Sequence, residues 1–122
     1  MLILFVDDDP FNSLLAKKIF TKLEIQDQIV YVTNGAEALD YMLSSSALPT
    51  YIFLDINMPI MDGSDFLLKM REHNINLSNT KIVLMLTSES PRKLGEEPFL
   101  SMIFSLLHRP LKLEEIKRLL AI

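Results

Sequence analysis

A chain of 122 residues, 49% hydrophobic and 23% charged, is one domain's worth of sequence and far from the composition of a disordered segment. The absence of cysteine excludes disulfide frameworks, thiolate zinc sites and cysteine nucleophiles, and fits a reducing compartment. A net charge of −4 argues against broad nucleic-acid binding, and nothing reads as a membrane span: the longest uncharged run, Tyr41 to Leu54, holds three serines and a proline.

Leu2-Ile3-Leu4-Phe5-Val6 is a continuous apolar run, as expected of a strand buried on both faces. It is too short for a signal peptide and runs straight into three aspartates. Asp9 before Pro10 predicts a helix N-cap. Phe11, Leu14, Leu15, Ile19, Phe20 and Leu23 then recur at helical spacing, with Lys17, Lys18 and Lys22 between them. Ile29 to Val32 predicts a second strand, ended by the turn pair Asn34-Gly35. Ala38, Leu39, Met42 and Leu43 mark a second helix. Tyr51 to Leu54 predicts a third strand, followed by a loop holding Pro59 and Gly63. Phe66, Leu67 and Met70 mark a third helix, and Ile82 to Leu86 a fourth strand. Ser90-Pro91 opens a further helix, which Gly95 and Pro98 limit to about two turns. Ile103 to Leu107 is the fifth strand, and Leu113, Ile116, Leu119 and Leu120 form the last helical stripe.

Strand and helix thus alternate along the whole chain. This predicts a single α/β domain over residues 1–122, a doubly wound five-stranded parallel sheet with helices on both faces and right-handed crossovers. In such a sheet, ligands sit at the carboxyl ends of the strands. Those ends carry Asp7-Asp8-Asp9, Asp55, Thr87-Ser88 and His108-Arg109-Pro110. Each group alone has an ordinary reading as a cap, a loop residue or a surface charge, and His73 and His108 are read as surface or loop residues. Together they demand more. Two like charges about 4 Å apart repel by roughly 4 kcal/mol at an effective dielectric near 20, so clustered carboxylates raise one another's pKa or require a cation. An all-oxygen site with few protein ligands suits Mg2+. Acids holding Mg2+ beside a hydroxyl and a fixed positive charge are suited to phosphoryl transfer.

These residues resemble the receiver domain of two-component response regulators. The matching segments are Val6-Asp7-Asp8, the run from Phe53-Leu54-Asp55 through Ile56-Asn57-Met58-Pro59 to Asp62-Gly63, Leu86-Thr87-Ser88, and Arg109-Pro110-Leu111. Asn34 to Leu39 resembles the segment that opens the family's second helix. The resemblance implies a flavodoxin-like strand order 2-1-3-4-5. It implies that Asp55 accepts a phosphoryl group from the phosphohistidine of a histidine kinase or histidine phosphotransfer protein. It implies that Asp8 and Asp55 ligate Mg2+ directly, with Asp7 nearby and the backbone carbonyl of Asn57 completing the protein ligands. Thr87 would hydrogen-bond a phosphoryl oxygen, and Ser88 is the small residue needed beside it. Asn57 and Glu89 stand where the family tunes loss of the phosphoryl group, a polar pair consistent with a short-lived adduct. The implied domain is a cytoplasmic signalling module rather than an enzyme, with an unidentified downstream protein target, no nucleic acid and no membrane insertion. Two positions depart from the pattern. Arg109 replaces a lysine, before a proline expected to follow a cis bond, and Leu106 replaces a frequent aromatic switch residue. Two alternatives stand beside this reading. One is a degenerate receiver that binds partners without phosphorylation because of Arg109. The other is a haloacid-dehalogenase-type phosphatase, suggested by Asp7-Asp8-Asp9 after the first strand and by a hydroxyl residue, Thr87, after a later one.

Overall fold

The structure is a computed structural model that describes residues 1–86 and 98–122. Its elements are β1 (Ile3–Val6), α1 (Pro10–Lys22), β2 (Ile29–Val32), α2 (Gly35–Ser44), β3 (Tyr51–Asp55), α3 (Gly63–Glu72), β4 (Lys81–Leu86), α4 (Phe99–Met102), β5 (Ile103–His108) and α5 (Leu113–Leu120). A short 3-10 turn at Gln26–Gln28 leads into β2. The five strands form one parallel sheet in the order β2-β1-β3-β4-β5. This is the flavodoxin-like order that the resemblance implies.

The continuous apolar runs are explained by alternation across a sheet covered on both sides. Leu4, Val6, Ile52, Leu54, Ile82 and Leu84 pack with Ala38, Leu39 and Met42 of α2 and Phe66, Leu67 and Met70 of α3. Ile3, Phe5, Tyr51, Phe53, Val83 and Met85 point to the other side, where they meet Ala16, Ile19 and Phe20 of α1 and Ile116 and Leu120 of α5. Phe5, Phe20 and Phe53 form a ring cluster there, with centroids 5.9 to 6.2 Å apart. Each fully buried side chain of this size contributes roughly 1.5–3 kcal/mol relative to exposure. The helices start where their caps dictate. The Asp9, Asn34 and Asp62 side chains accept backbone N–H groups of Phe11, Glu37 and Asp65 at 2.9, 2.8 and 2.9 Å.

Several details differ from the sequence expectations. The buried face of α1 is Asn12, Ala16, Ile19 and Phe20, while Phe11 is 82% exposed and Leu14 is also exposed. Apolar residues occur around most of this helix, so periodicity leaves the docked face open. The small Ala16, fully buried against the sheet, lets the backbone approach there. β3 runs one residue further than expected and takes Asp55 into the ladder, opposite Met85 of β4. β5 likewise extends to His108. The single turn α4 was not expected; its Phe99 and Met102 pack on the α2–α3 side. The helix expected from Ser90 to Pro98 falls outside the described residues except for Pro98, as do Thr87, Ser88 and Glu89. Among the described residues no helix is long and apolar enough to cross a membrane.

Candidate functional site

β1 and β3 are neighbours in register, with Val6 beside Leu54, so the residues that follow, Asp7 and Asp55, emerge side by side at the carboxyl edge. Asp7 continues the sheet through its N–H, which donates to Val32 O at 3.1 Å. Packing of both strands on both faces leaves Asp7 only 1% and Asp55 4% exposed, whereas Asp8 points to solvent. The loop after β3 is held against its surroundings at two glycines. Gly63 N–H donates to Ile56 O at 2.9 Å, and a Cβ on Gly63 would lie 2.7 Å from Asp55 O. Gly35 N–H donates to Met61 O at 3.0 Å, and a Cβ there would lie 2.3 Å from that oxygen. Only glycine permits these approaches.

Arg109 arrives from the other side. Its N–H donates to Leu86 O at 2.9 Å, and its peptide bond to Pro110 is cis, as the resemblance implies. Its guanidinium Nη2 lies 2.5 Å from Asp7 Oδ2 and 3.2 Å from Asp55 Oδ1, and its Nη1 lies 3.8 Å from Asp9 Oδ2. Asp7 has further donors. Its Oδ1 accepts Asp9 N–H at 2.9 Å, and its Oδ2 accepts the amide of Asn12, which also lies 3.7 Å from Met85 Sδ. Burial first, and then the charge of Asp7, push Asp55 up to about 7, against the lowering pull of Arg109.

Asp7, Asp8 and Asp55 each offer one carboxylate oxygen, all within 4.8 Å of one another. Three hard oxygen donors, one of them on an exposed residue, fit a cation such as Mg2+ that keeps several waters. The structure therefore brings Asp7, Asp8, Asp55 and Arg109 together. Asn57 is adjacent, with its N–H 3.4 Å from Asp55 Oδ1. Thr87 and Ser88 lie outside the described residues. Leu106 is 50% exposed on β5, and His73 and His108 are exposed, the first capping α3 and the second ending β5. Asn12 was missed in the sequence. Its signal was a polar residue one helical turn before Ala16, on what proves to be the buried face of α1.

The response regulator receiver domain model matches residues 3–121 of this chain. The chain is 28% identical over 121 residues to the probable methanogenesis regulatory protein FilR2 of Methanothrix harundinacea, covering 96% of this chain and 77% of that protein. Two other curated relatives are named as histidine kinases, and the chain spans only 9% and 7% of their lengths. A two-component response regulator from Legionella pneumophila superposes with a TM-score of 0.81 at 25% identity, covering 99% of this chain and 95% of that one. The receiver domain of sensor histidine kinase PA1611 from Pseudomonas aeruginosa, solved with a magnesium ion in its active site cleft, superposes with a TM-score of 0.74 at 20% identity, covering 97% of this chain and 92% of that one.

Proposed function

The chain belongs to the response regulator receiver domain family, and from that premise we propose that it is a phosphoacceptor in a two-component phosphorelay, one receiver domain over residues 1–122. A carboxylate oxygen of Asp55 attacks the phosphorus of a phosphohistidine. The new P–O bond makes an aspartyl phosphate, the P–N bond breaks, and the imidazole takes a proton. The donor is a histidine kinase or a histidine phosphotransfer protein. The output is altered binding to a downstream protein target in the cytoplasm. The observation that carries this reading is the placement of Asp55, buried at the end of the central strand beside Asp7, Asp8 and Arg109.

Asp8 and Asp55 would hold Mg2+ directly, with Asp7 beside them and the Asn57 carbonyl completing the set. The oxygen trio within 4.8 Å and the magnesium of the Pseudomonas receiver support this assignment. When bound, the ion offsets the repulsion among the carboxylates and the charge of the incoming phosphoryl group. Burial around Asp55 excludes bulk water and strengthens each of these electrostatic contacts. Thr87, which follows β4, is assigned to hydrogen-bond one phosphoryl oxygen, and the Arg109 guanidinium to pair with another. The domain is a substrate of phosphotransfer rather than an enzyme acting on others. The family match spans the whole acidic trio and leaves the haloacid-dehalogenase reading without support.

The test is incubation with acetyl phosphate and Mg2+, followed by intact mass. A single phosphoryl adduct on the wild type, absent from Asp55→Asn, is expected. Stoichiometric labelling of Asp55→Asn would move the nucleophile to Asp7 or Asp8.

A further inference from the structure

Asn12 is a polar residue on the buried face of α1, the face it shares with Ala16, Ile19 and Phe20. Its amide nitrogen donates to Asp7 Oδ2 and lies 3.7 Å from Met85 Sδ, so both of its hydrogens have a partner. The carboxylate decides which way round the amide sits, because the reverse orientation would set a carbonyl oxygen against it. Met85 pairs with Asp55 across the β3–β4 ladder. Asn12 therefore stands between the carboxylate of Asp7 and the strand neighbour of Asp55. This side of Asp7 is enclosed: Asp7 and Met85 are each 1% exposed, and a hydrated cation does not reach it. Without the amide, the lone pair that faces α1 would be buried and unpartnered, and the carboxylate would turn toward another donor. Asp7 Oδ1 accepts Asp9 N–H at 2.9 Å, so the carboxylate plane is tied at both oxygens. Leucine has nearly the volume of asparagine and suits a buried helix face, so packing alone does not call for an amide here.

We infer that Asn12 is a positioning residue of this site, which fixes the Asp7 carboxylate in the orientation that the divalent metal meets. The inference rests on the phosphoacceptor reading and adds to it a residue outside the acidic trio. Asn12 acts only through Asp7. One contact of its amide sets the plane of that carboxylate, and the other ties the plane to β4 beside Asp55. A carboxylate already held in place loses little orientational freedom when the ion and its waters arrive. One that must first turn back from another donor gives up part of the binding energy to do so.

The experiment titrates Mg2+ alone into wild type, Asn12→Leu, Asn12→Ala and Ile19→Val, following backbone amide shifts by NMR, with denaturant unfolding of each. Asn12→Leu is expected to bind Mg2+ roughly tenfold more weakly than wild type, a loss usual for a partner that orients a metal-binding group. Asn12→Ala leaves a gap that leucine fills, so the two variants differ in stability yet are expected to lose affinity alike. Ile19→Val, further along the same buried face, loosens the packing of α1 and should keep wild-type affinity. Wild-type affinity in Asn12→Leu and Asn12→Ala would overturn the inference. A loss in Ile19→Val equal to theirs would overturn it as well, since helix packing would then account for the effect. The same substitution is then made in Asp7→Ala, which keeps the Asp8 and Asp55 oxygens. There Asn12→Leu should change affinity by less than about twofold. A full tenfold loss in that background would show that Asn12 does not act through Asp7. Phosphoryl acceptance is read separately, as the acetyl phosphate adduct of the wild type. An adduct together with unchanged affinity in the Asn12 variants overturns this inference alone. Absence of both adduct and Mg2+ binding in the wild type overturns the phosphoacceptor reading and this inference with it. If Asn12→Leu fails to fold, Asn12→Ala decides the question.

Discussion

β1 and β3 keep every residue from Ile3 to Val6 and from Tyr51 to Asp55 out of solvent, while β5 alternates and leaves Phe104 51% and Leu106 50% exposed. On that edge the Lys81 ammonium sits 4.8 Å from the centre of the Phe104 ring. The two regions deliver opposite charges to one point. The central strands present carboxylates directly from a backbone packed on both faces. The edge strand presents a guanidinium on a long arm just past its end. Position is thus set by packing on the acidic side and by side-chain reach on the basic side.

Removing a ring from the central strands should break the contrast most severely. Phe53→Ala deletes a fully buried side chain stacked near Phe5 and Phe20 and is expected to lose about 3–5 kcal/mol in denaturant unfolding. A loss near that of an exposed edge residue would mean that β3 is not the rigid scaffold. Gly63→Ala comes next. Its Cβ would lie 2.7 Å from Asp55 O and 2.9 Å from Ile56 Cα, so the backbone at Asp55 and Ile56 must shift. The expected cost is about 1–3 kcal/mol, together with weaker Mg2+ binding, both measurable on the same purified variant.

The pH dependence sharpens the same comparison. Burial and the Asp7 charge raise Asp55 from 3.8 to about 7. Its contribution to stability is therefore present in full below 3.8 and lost as pH rises through about 7. Asp55→Asn stays neutral throughout. In EDTA, the melting temperature of Asp55→Asn should gain on that of wild type as pH rises from about 4 to about 8. A constant difference across that range would show that Asp55 titrates like an exposed carboxylate. Saturating Mg2+ should restore the wild type relative to the variant at the upper end.

Smaller effects are expected at the cap and at the edge. Asp9→Ala removes the side chain that accepts Phe11 N–H and should cost about 1 kcal/mol in thermal or denaturant melts. Leu106→Ala, half exposed on β5, should stay within about 0.5 kcal/mol of wild type. A loss of several times that amount would show that this edge is packed as tightly as the centre, and the contrast between the two regions would fail.

Much of this was legible in the chain itself. Buried strands announce themselves as apolar runs, and the N-caps at Asp9 and the acidic pair at the end of the first strand are local features of neighbouring residues. The docked face of α1 was less legible, because Phe11 and Leu14 are apolar yet exposed, and Asn12 is polar yet buried. The burial of Asn12 is offset by its hydrogen bond to Asp7, a partner that pattern alone does not reveal.

Sequence by itself determined the alternation of strand and helix, the carboxylates at strand ends and the positive charge after the fifth strand, since each depends on residues within a few positions of one another. Only the tertiary structure decided that Arg109 holds Asp7 more closely than Asp55, across 102 positions of sequence. That choice depends on β1 and β3 lying together with β4 between β3 and β5, and on the length of an arginine arm reaching from beyond the edge strand. Electrostatic partners at that separation are set by where the backbone brings them, and local pattern carries no record of it.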